Sequence, residues 1–197
     1  MALDAFLQFN DGGNPGATVL NGETQDLEMK KLNPTPFDLS NWTFTVAQKV
    51  NVGSATQGIG TGKVEFQPFS VDKQIDKSSP YFFQCLAQGG HYDQCTLFLR
   101  KAGGTKDRSG TIYLRFDFKM VFVTDIQWSH DDTAPKESIK FDYGALRVTY
   151  TTQRGTGAAK APISTDPSNP GGQATAQWSK MLNTSDFDWK SAIPDVD

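Results

Sequence analysis

The longest regular pattern in the chain is TIYLRFDFKMVFVTDIQW, residues 111–128. Ile112, Leu114, Phe116, Phe118, Met120 and Phe122 fall on one parity, and Tyr113, Arg115, Asp117 and Lys119 on the other. Such alternation predicts one long amphipathic strand, because successive side chains of a strand point to opposite faces. Val121 and Val123 make the second parity apolar too, so that end is expected to be covered on both sides. SIKFDYGALRVTYT, residues 138–151, changes parity at Gly144, as a β-bulge would produce. Ile139, Phe141 and Tyr143 precede the switch, and Leu146, Val148 and Tyr150 come after it. KVEFQPFSVDK changes parity at Pro68, between Val64/Phe66 and Phe69/Val71. Proline cannot donate to a ladder, so an edge, a bulge or a kink is expected there. Shorter alternations group Leu3, Ala5, Leu7 and Phe9; Trp42, Phe44 and Val46; and Cys95, Leu97 and Leu99.

One segment, SSPYFFQCLAQGG, follows the helical period instead. Phe82, Cys85, Leu86 and Gly89 form its stripe, with Ser79 as the expected cap, Pro80 at the first helical position and Gly89 at the stop. Residues 10–36 are rich in Gly, Pro and Asn, with a turn of helix expected at TQDLEMKKL. Residues 49–62 read as a flexible loop between two strands, and 153–173 as a polar linker. After the linker, ATAQWSKMLNTSDFDW regains aromatic content and is expected to pack back on the body. The predicted fold is mainly β: an antiparallel β-barrel of two packed sheets with one short flanking α-helix, in a single domain over residues 1–197.

Composition supports this picture and narrows the function. Fourteen Phe, five Tyr and four Trp favour strands. A net charge of -3 gives no general drive toward nucleic acid or anionic membrane. No apolar run approaches the roughly 20 residues of a spanning helix, so no membrane insertion is expected. The start, MALDAFLQFND, places Asp4 where a signal peptide carries basic residues. The expectation is a chain made in the cytoplasm without a signal peptide.

The densest candidate chemistry is CLAQGGHYDQC, which holds Cys85, His91, Asp93 and Cys95. Zinc asks for four N/S ligands, or three with an open position. Cys85, however, lies on the helix stripe and Cys95 on the apolar parity of a strand, where free cysteine behaves as a small hydrophobe. No positive cluster surrounds either thiol to activate it. GSATQGIGTGKV ends in Gly-Lys but lacks the subsequent Ser/Thr and helix of a phosphate loop. RKAGGTKDRSG gathers Arg100, Lys101, Lys106 and Arg108 at a hairpin, where solvated charge is ordinary, and His130 in SHDDTAP reads as part of a turn. The expectation is therefore no catalytic residue, no metal and no cofactor. A small hydrolase or metal protein built on Cys85, His91 and Cys95 remains as the contrasting reading.

Residues 63–104, KVEFQPFSVDKQIDKSSPYFFQCLAQGGHYDQCTLFLRKAGG, resemble the Hcp (haemolysin co-regulated protein) family of type VI secretion tube subunits. The likeness lies in a strand ending in aromatic, Ser and Val, then IDKSSP, a short apolar helix, GxHY, and a strand closing in RKAGG. MALDAFLQF, FDYGALRVTYTTQ and AQWSKMLNTSDF resemble further parts of the same pattern. The chain departs from it with a longer 10–36 region, Gly89-Gly90 where Gly-Lys is usual, and extensions at 153–173 and after Phe187.

The resemblance implies a non-enzymatic homohexameric ring whose rings stack into a hollow tube. It implies as partners the VgrG spike, a contractile sheath and small effector proteins held in the lumen, and secretion from a bacterium by the type VI route. A carrier or chaperone of effectors is the alternative within the family. By position, the 47–62 region matches the family's stacking loop. Its residues are Lys49, Val50, Asn51, Val52, Gly53, Ser54, Ala55, Thr56, Gln57, Gly58, Ile59 and Gly60. Asp76, Lys77, Ser79, Pro80, His91, Tyr92, Arg100, Lys101, Gly103 and Gly104 match the family motif, with structural roles implied.

Overall fold

A computed structural model describes residues 3–10, 19–51, 60–101, 112–130, 134–151 and 173–187. Its strands are β1 (Leu3–Asn10), β2 (Phe37–Leu39), β3 (Asn41–Thr43), β4 (Val46–Asn51), β5 (Gly60–Phe66), β6 (Phe69–Gln74), β7 (Tyr92–Lys101), β8 (Ile112–His130), β9 (Pro135–Thr151) and β10 (Gln173–Ser179). The helix α1 (Ser79–Gln88) lies between β6 and β7. Eight strands form one sheet in the order β2-β1-β7-β8-β9-β6-β3, with β10 also paired to β9. Every pairing in it is antiparallel.

The two ends of that order are consecutive in sequence. Only Ser40 separates β2, which lies on β1, from β3, which lies on β6. The Ser40 amide donates to the Asp72 carbonyl at 2.8 Å. The sheet thus curls into a nearly closed barrel, which is the mainly β fold that the alternation predicts. β4 and β5 form a separate two-stranded sheet. Residues 49–51 and 60–62 are therefore strand and not flexible loop, while 52–59 lie outside the described residues. Pro68 marks the place where the chain leaves this arm for the barrel. Trp42 and Val46, expected in one strand, fall in different sheets, and Val46 is exposed.

The long strand at 112–130 does not keep one face throughout. Phe116 and Phe118 are buried, and then Val121 and Val123 are, while Met120 and Phe122 are only partly covered. The switch falls at Met120, whose φ is 52°, a left-handed conformation that reverses the parity of the residues beyond it. β9 switches opposite it, from Phe141 and Tyr143 to Leu146, with Gly144 between. Phe118 pairs with Leu146, and Val121 with Tyr143, so the register runs through the switch unbroken. The bulge expected at Gly144 is instead a reversal shared by both strands. The register shift between them lies at Val123/Asp125. Two neighbouring strands must turn over together if their inward side chains are to stay in one core.

That core is aromatic. Phe69 stacks on Phe118 at 4.1 Å and on Phe141 at 4.9 Å. α1 lays Phe82 against Phe9 at 5.3 Å and Phe37 at 5.7 Å. Cys85 and Cys95 are both free, and both belong to the core cluster. The helix begins one residue earlier than expected: Ser78 stands at the cap, and its hydroxyl donates to the Asn21 carbonyl at 2.9 Å. Ser79 is the first helical residue. Gly89 ends the helix with φ 67°, as its sequence position predicts. A short 3-10 turn at Met29–Lys31 stands where the sequence predicts a turn of helix. β10 pairs along β9, and Phe187 is buried, so the segment after the linker does pack back on the barrel.

Phe118 stacks on Phe69 with no exposed surface. Phe118→Ala is expected to destabilise the protein by about 3–5 kcal/mol, read as a lowered urea midpoint with unchanged far-UV circular dichroism.

Candidate functional site

Two charged residues sit on the inward parity of strands, where apolar residues are the rule. Lys73 comes after Phe69 and Val71 on β6, and Glu137 precedes Ile139 and Phe141 on β9. Both are buried, and they stand opposite one another across the β6–β9 pair. Lys73 Nζ lies 2.9 Å from Glu137 Oε2 and 3.1 Å from Asp76 Oδ2. It also donates to Ser79 Oγ at 3.2 Å and to the Gln74 carbonyl at 3.1 Å. Ser79 Oγ donates to Glu137 Oε2 at 2.7 Å, and the Trp128 indole N–H donates to Oε1 at 2.7 Å. The Ser79 hydroxyl, expected as a helix cap, instead fixes α1 to the barrel wall. Asp76 is held in turn by the Ser78 amide at 2.8 Å.

The other motif residues are dispersed. Lys77 is exposed, 4.0 Å from Glu23 Oε1. Pro80 occupies the first turn of α1 and is exposed. His91 is half-buried, with its ring 5.2 Å from Phe122 and Nε2 3.9 Å from Asp93 Oδ1. Tyr92 is buried against Phe9 at 4.9 Å, and burial pushes its hydroxyl pKa up. Lys101 lies over the Tyr113 ring at 5.3 Å. Gly103 and Gly104, with Lys106 and Arg108, are outside the described residues.

Arg100 is not the solvated hairpin charge that its context predicts. It is 5 % exposed, and its guanidinium donates to Asp26 Oδ1 at 3.0 Å and Asp4 Oδ2 at 2.9 Å. It also covers the Phe6 ring at 5.0 Å. This contact fastens the irregular 19–36 strap, through Asp26 and the buried Met29, to the outer face of β1 and β7. The Arg100 hydrogen bond holds the Asp26 carboxyl at about 2, with the Met29 and Glu28 amides adding to it against the opposing effect of burial.

Both thiols are free and buried in the core. Burial raises the pKa of Cys85, and raises that of Cys95 further, with the nearby Asp117 adding to the effect. Among the described residues no group of three His, Cys, Asp or Glu is arranged to hold a metal. Nor is any helix there long and apolar enough to cross a membrane. The ionisable side chains Lys73, Glu137, Arg100 and Asp117, all buried, are bonded to one another or to neighbouring side chains. Their geometry holds elements together and turns their charged atoms inward.

What the barrel does present outward is the arm. β4 and β5 pair with each other, Val46 to Phe66 and Gln48 to Val64, with an irregularity between Gln48 and Val50. The arm is rooted by Phe44, 5.7 Å from Phe116, and by Phe66, which also packs against the core. Of the expected stacking residues, Lys49, Val50 and Asn51 lie on β4 and Gly60 on β5; the others are outside the described residues.

Residues 6–150 match the sequence model of a family described as "Type VI secretion system effector, Hcp". The protein hcp1 of Pseudomonas aeruginosa is 29% identical over 160 residues, covering 80% of this chain and 89% of that one. Among solved structures, one of a type six secretion system protein superposes with a TM-score of 0.73 at 21% identity, covering 93% of this chain and 99% of that one. The crystal structure of Hcp1 from Salmonella typhimurium gives 0.64 at 23% identity, with 94% and 100% covered.

The buried charges lead to two expected outcomes. Lys73→Met strands the Glu137 carboxylate and is expected to cost about 3–5 kcal/mol. Adding Glu137→Gln should recover part of that, so a double-mutant cycle by urea denaturation will show the two losses to be strongly non-additive. Asp26 ionises more easily folded than unfolded, from an ordinary 3.8 to about 2. Its contribution is therefore present above pH 4 and is lost as pH falls toward 2. The stability difference between wild type and Asp26→Asn, measured by urea midpoints from pH 5 down to 2, should shrink over that window.

Proposed function

The chain belongs to the Hcp family of type VI secretion system effectors, and from that premise we propose that it is a structural subunit of the secretion tube. In this reading six copies close into a ring, rings stack into a hollow tube, and the tube leaves the cell with its spike. The contractile sheath that drives it and small effectors in its lumen are the remaining partners. Catalysis plays no part.

The observation that carries the reading is the two-stranded arm. A hairpin rooted in the barrel by Phe44 and Phe66, yet paired in a sheet of its own, is suited to reach a neighbouring copy. Its strands leave both outer edges without a partner strand among the described residues, and such edges favour pairing or docking. The nearly closed barrel beneath it supplies a rigid body from which a ring can be built.

The test is native mass spectrometry of the purified protein with negative-stain imaging. A six-fold mass with a central hole is expected. Replacing residues 52–59 with a two-residue Asn-Gly turn should preserve the six-fold mass and abolish end-to-end stacks. A monomer at every concentration up to about 100 µM would overturn the ring.

A further inference from the structure

The turn that follows β10 is held to the barrel on either side of one thioether. The Lys180 amide donates to the Gly144 carbonyl at 2.8 Å, and the Ser179 amide to the Thr184 carbonyl at 2.8 Å. The Lys180 ammonium pairs with Asp142 and covers the Tyr143 ring at 4.5 Å. Further on, Phe187 is buried, with Arg147 4.0 Å and Lys119 4.6 Å from its ring centre. Met181 lies between these holds, and its side chain rests on Gly144. A Cβ at Gly144 would stand 3.0 Å from Met181 Sδ, 3.4 Å from its Cγ and 3.2 Å from Met120 Cβ. The space that a side chain at residue 144 would fill is thus the seat of the Met181 thioether, beside the shared reversal of β8 and β9.

That seat is open to solution. Met181 is 53% exposed and borders a cavity of about 290 Å³ that Met120, Phe122 and Tyr143 also line. Of the other methionines among the described residues, Met120 is partly covered and Met29 is 5% exposed. Methionine oxidation follows exposure, and it turns a flexible apolar side chain into a polar, chiral one. A sulfoxide finds no partner on this seat. The surface beneath it is a glycine and a methionine, the cavity walls include two aromatic rings, and the Lys180 ammonium is already engaged with Asp142. A polar S=O among such groups is costly unless it turns out to water.

We propose that Met181 is a site of reversible S-oxidation by peroxides, and that its sulfoxide lifts the 180–184 turn off β9. A sulfur lone pair attacks one peroxide oxygen, and the O–O bond breaks. Sulfur loses two electrons and the peroxide gains them. The departing oxygen takes up the proton and leaves as water or, from an organic peroxide, as an alcohol. A thiol-dependent sulfoxide reductase reverses the step. Loss of the Met181 contact opens the Lys180–Gly144 and Ser179–Thr184 hydrogen bonds locally, while the ladder of β8 and β9 stays closed. Peroxide exposure is thereby recorded in one turn of the chain without loss of the barrel. The change takes place within a single chain and needs no neighbouring copy.

The test treats the full-length protein with graded hydrogen peroxide. Peptide mass spectrometry follows each methionine, and hydrogen-exchange mass spectrometry follows the backbone amides. Sulfoxide is expected at Met181 several-fold sooner than at Met29. In step with it, peptides covering 178–184 should take up deuterium several-fold faster, while those covering 114–119 keep their rates. A methionine sulfoxide reductase with dithiothreitol should restore the slow exchange. Met181→Leu keeps the apolar bulk without the oxidisable sulfur, so its 178–184 exchange should not respond to peroxide. Sulfoxide formation at Met181 no faster than at Met29 overturns the site. Complete oxidation of Met181 with unchanged 178–184 exchange, or an equal response in Met181→Leu, overturns the release of the turn. Fast exchange that persists after the reductase has removed the sulfoxide overturns its reversibility.

Discussion

The architecture depends on joining the two ends of one sheet. β2 and β3 are six residues of nearly continuous strand interrupted at Ser40, and each half serves a different neighbour. For that to work the sheet must curl, and curling is imposed by its longest members. β8 and β9 are too long to stay on one face of a curved wall, so both turn over at Met120 and Gly144. Because the reversal is shared, the cross-strand pairs Phe118–Leu146 and Val121–Tyr143 keep their partners on either side of it. Met120 and Phe122, left only partly covered, are the consequence.

Buried charge is the second constraint. Removing a lysine and a glutamate from water is costly, and an apolar pair in their place is often no less stable. What Lys73 and Glu137 supply is position. Through Ser79 and Asp76 they fix the start of α1, and through Trp128 they reach the surface. One network therefore sets the helix that closes the core and an aromatic ring that faces outward. Arg100 acts similarly on the other side of the wall, tying an irregular strap to strands with which it shares no ladder.

Much of this is legible in the sequence, for identifiable reasons. Alternation locates most of the strands, the helical stripe locates α1, and Gly89 marks its end. The family motif in residues 63–104 points to the right family. The reversal at Met120 escapes such reading because Met120 and Phe122 continue the apolar parity of Phe118, and only a φ of 52° shows otherwise. The arm is hidden by Asn51, Gly60, Thr61 and Gly62, which read as loop although the pairing of β4 with β5 makes them strand. Lys73 and Glu137 carry a usable signal: each stands on the apolar parity of its strand, where a charge needs a buried partner. Which charge meets which is a matter of register, and register is set by strands distant in sequence. The same holds for Asp26 and Arg100, 74 residues apart.

The position of β1 has a consequence for how the chain comes to be folded. β1 lies between β2 and β7, so one edge finds its partner some thirty residues on and the other only when Gln94–Lys101 exists. During synthesis Leu7 and Phe9 emerge before their partners Leu97 and Cys95 and then wait, with a bare strand edge, while the intervening chain is made. Unpaired apolar edges of that kind are where nascent β proteins associate wrongly. Closing such non-local pairs also slows folding, because the loop entropy is lost before the contacts form. A cell that makes many copies of this chain at once therefore has to keep its newest, half-made subunits apart until their seventh strand arrives.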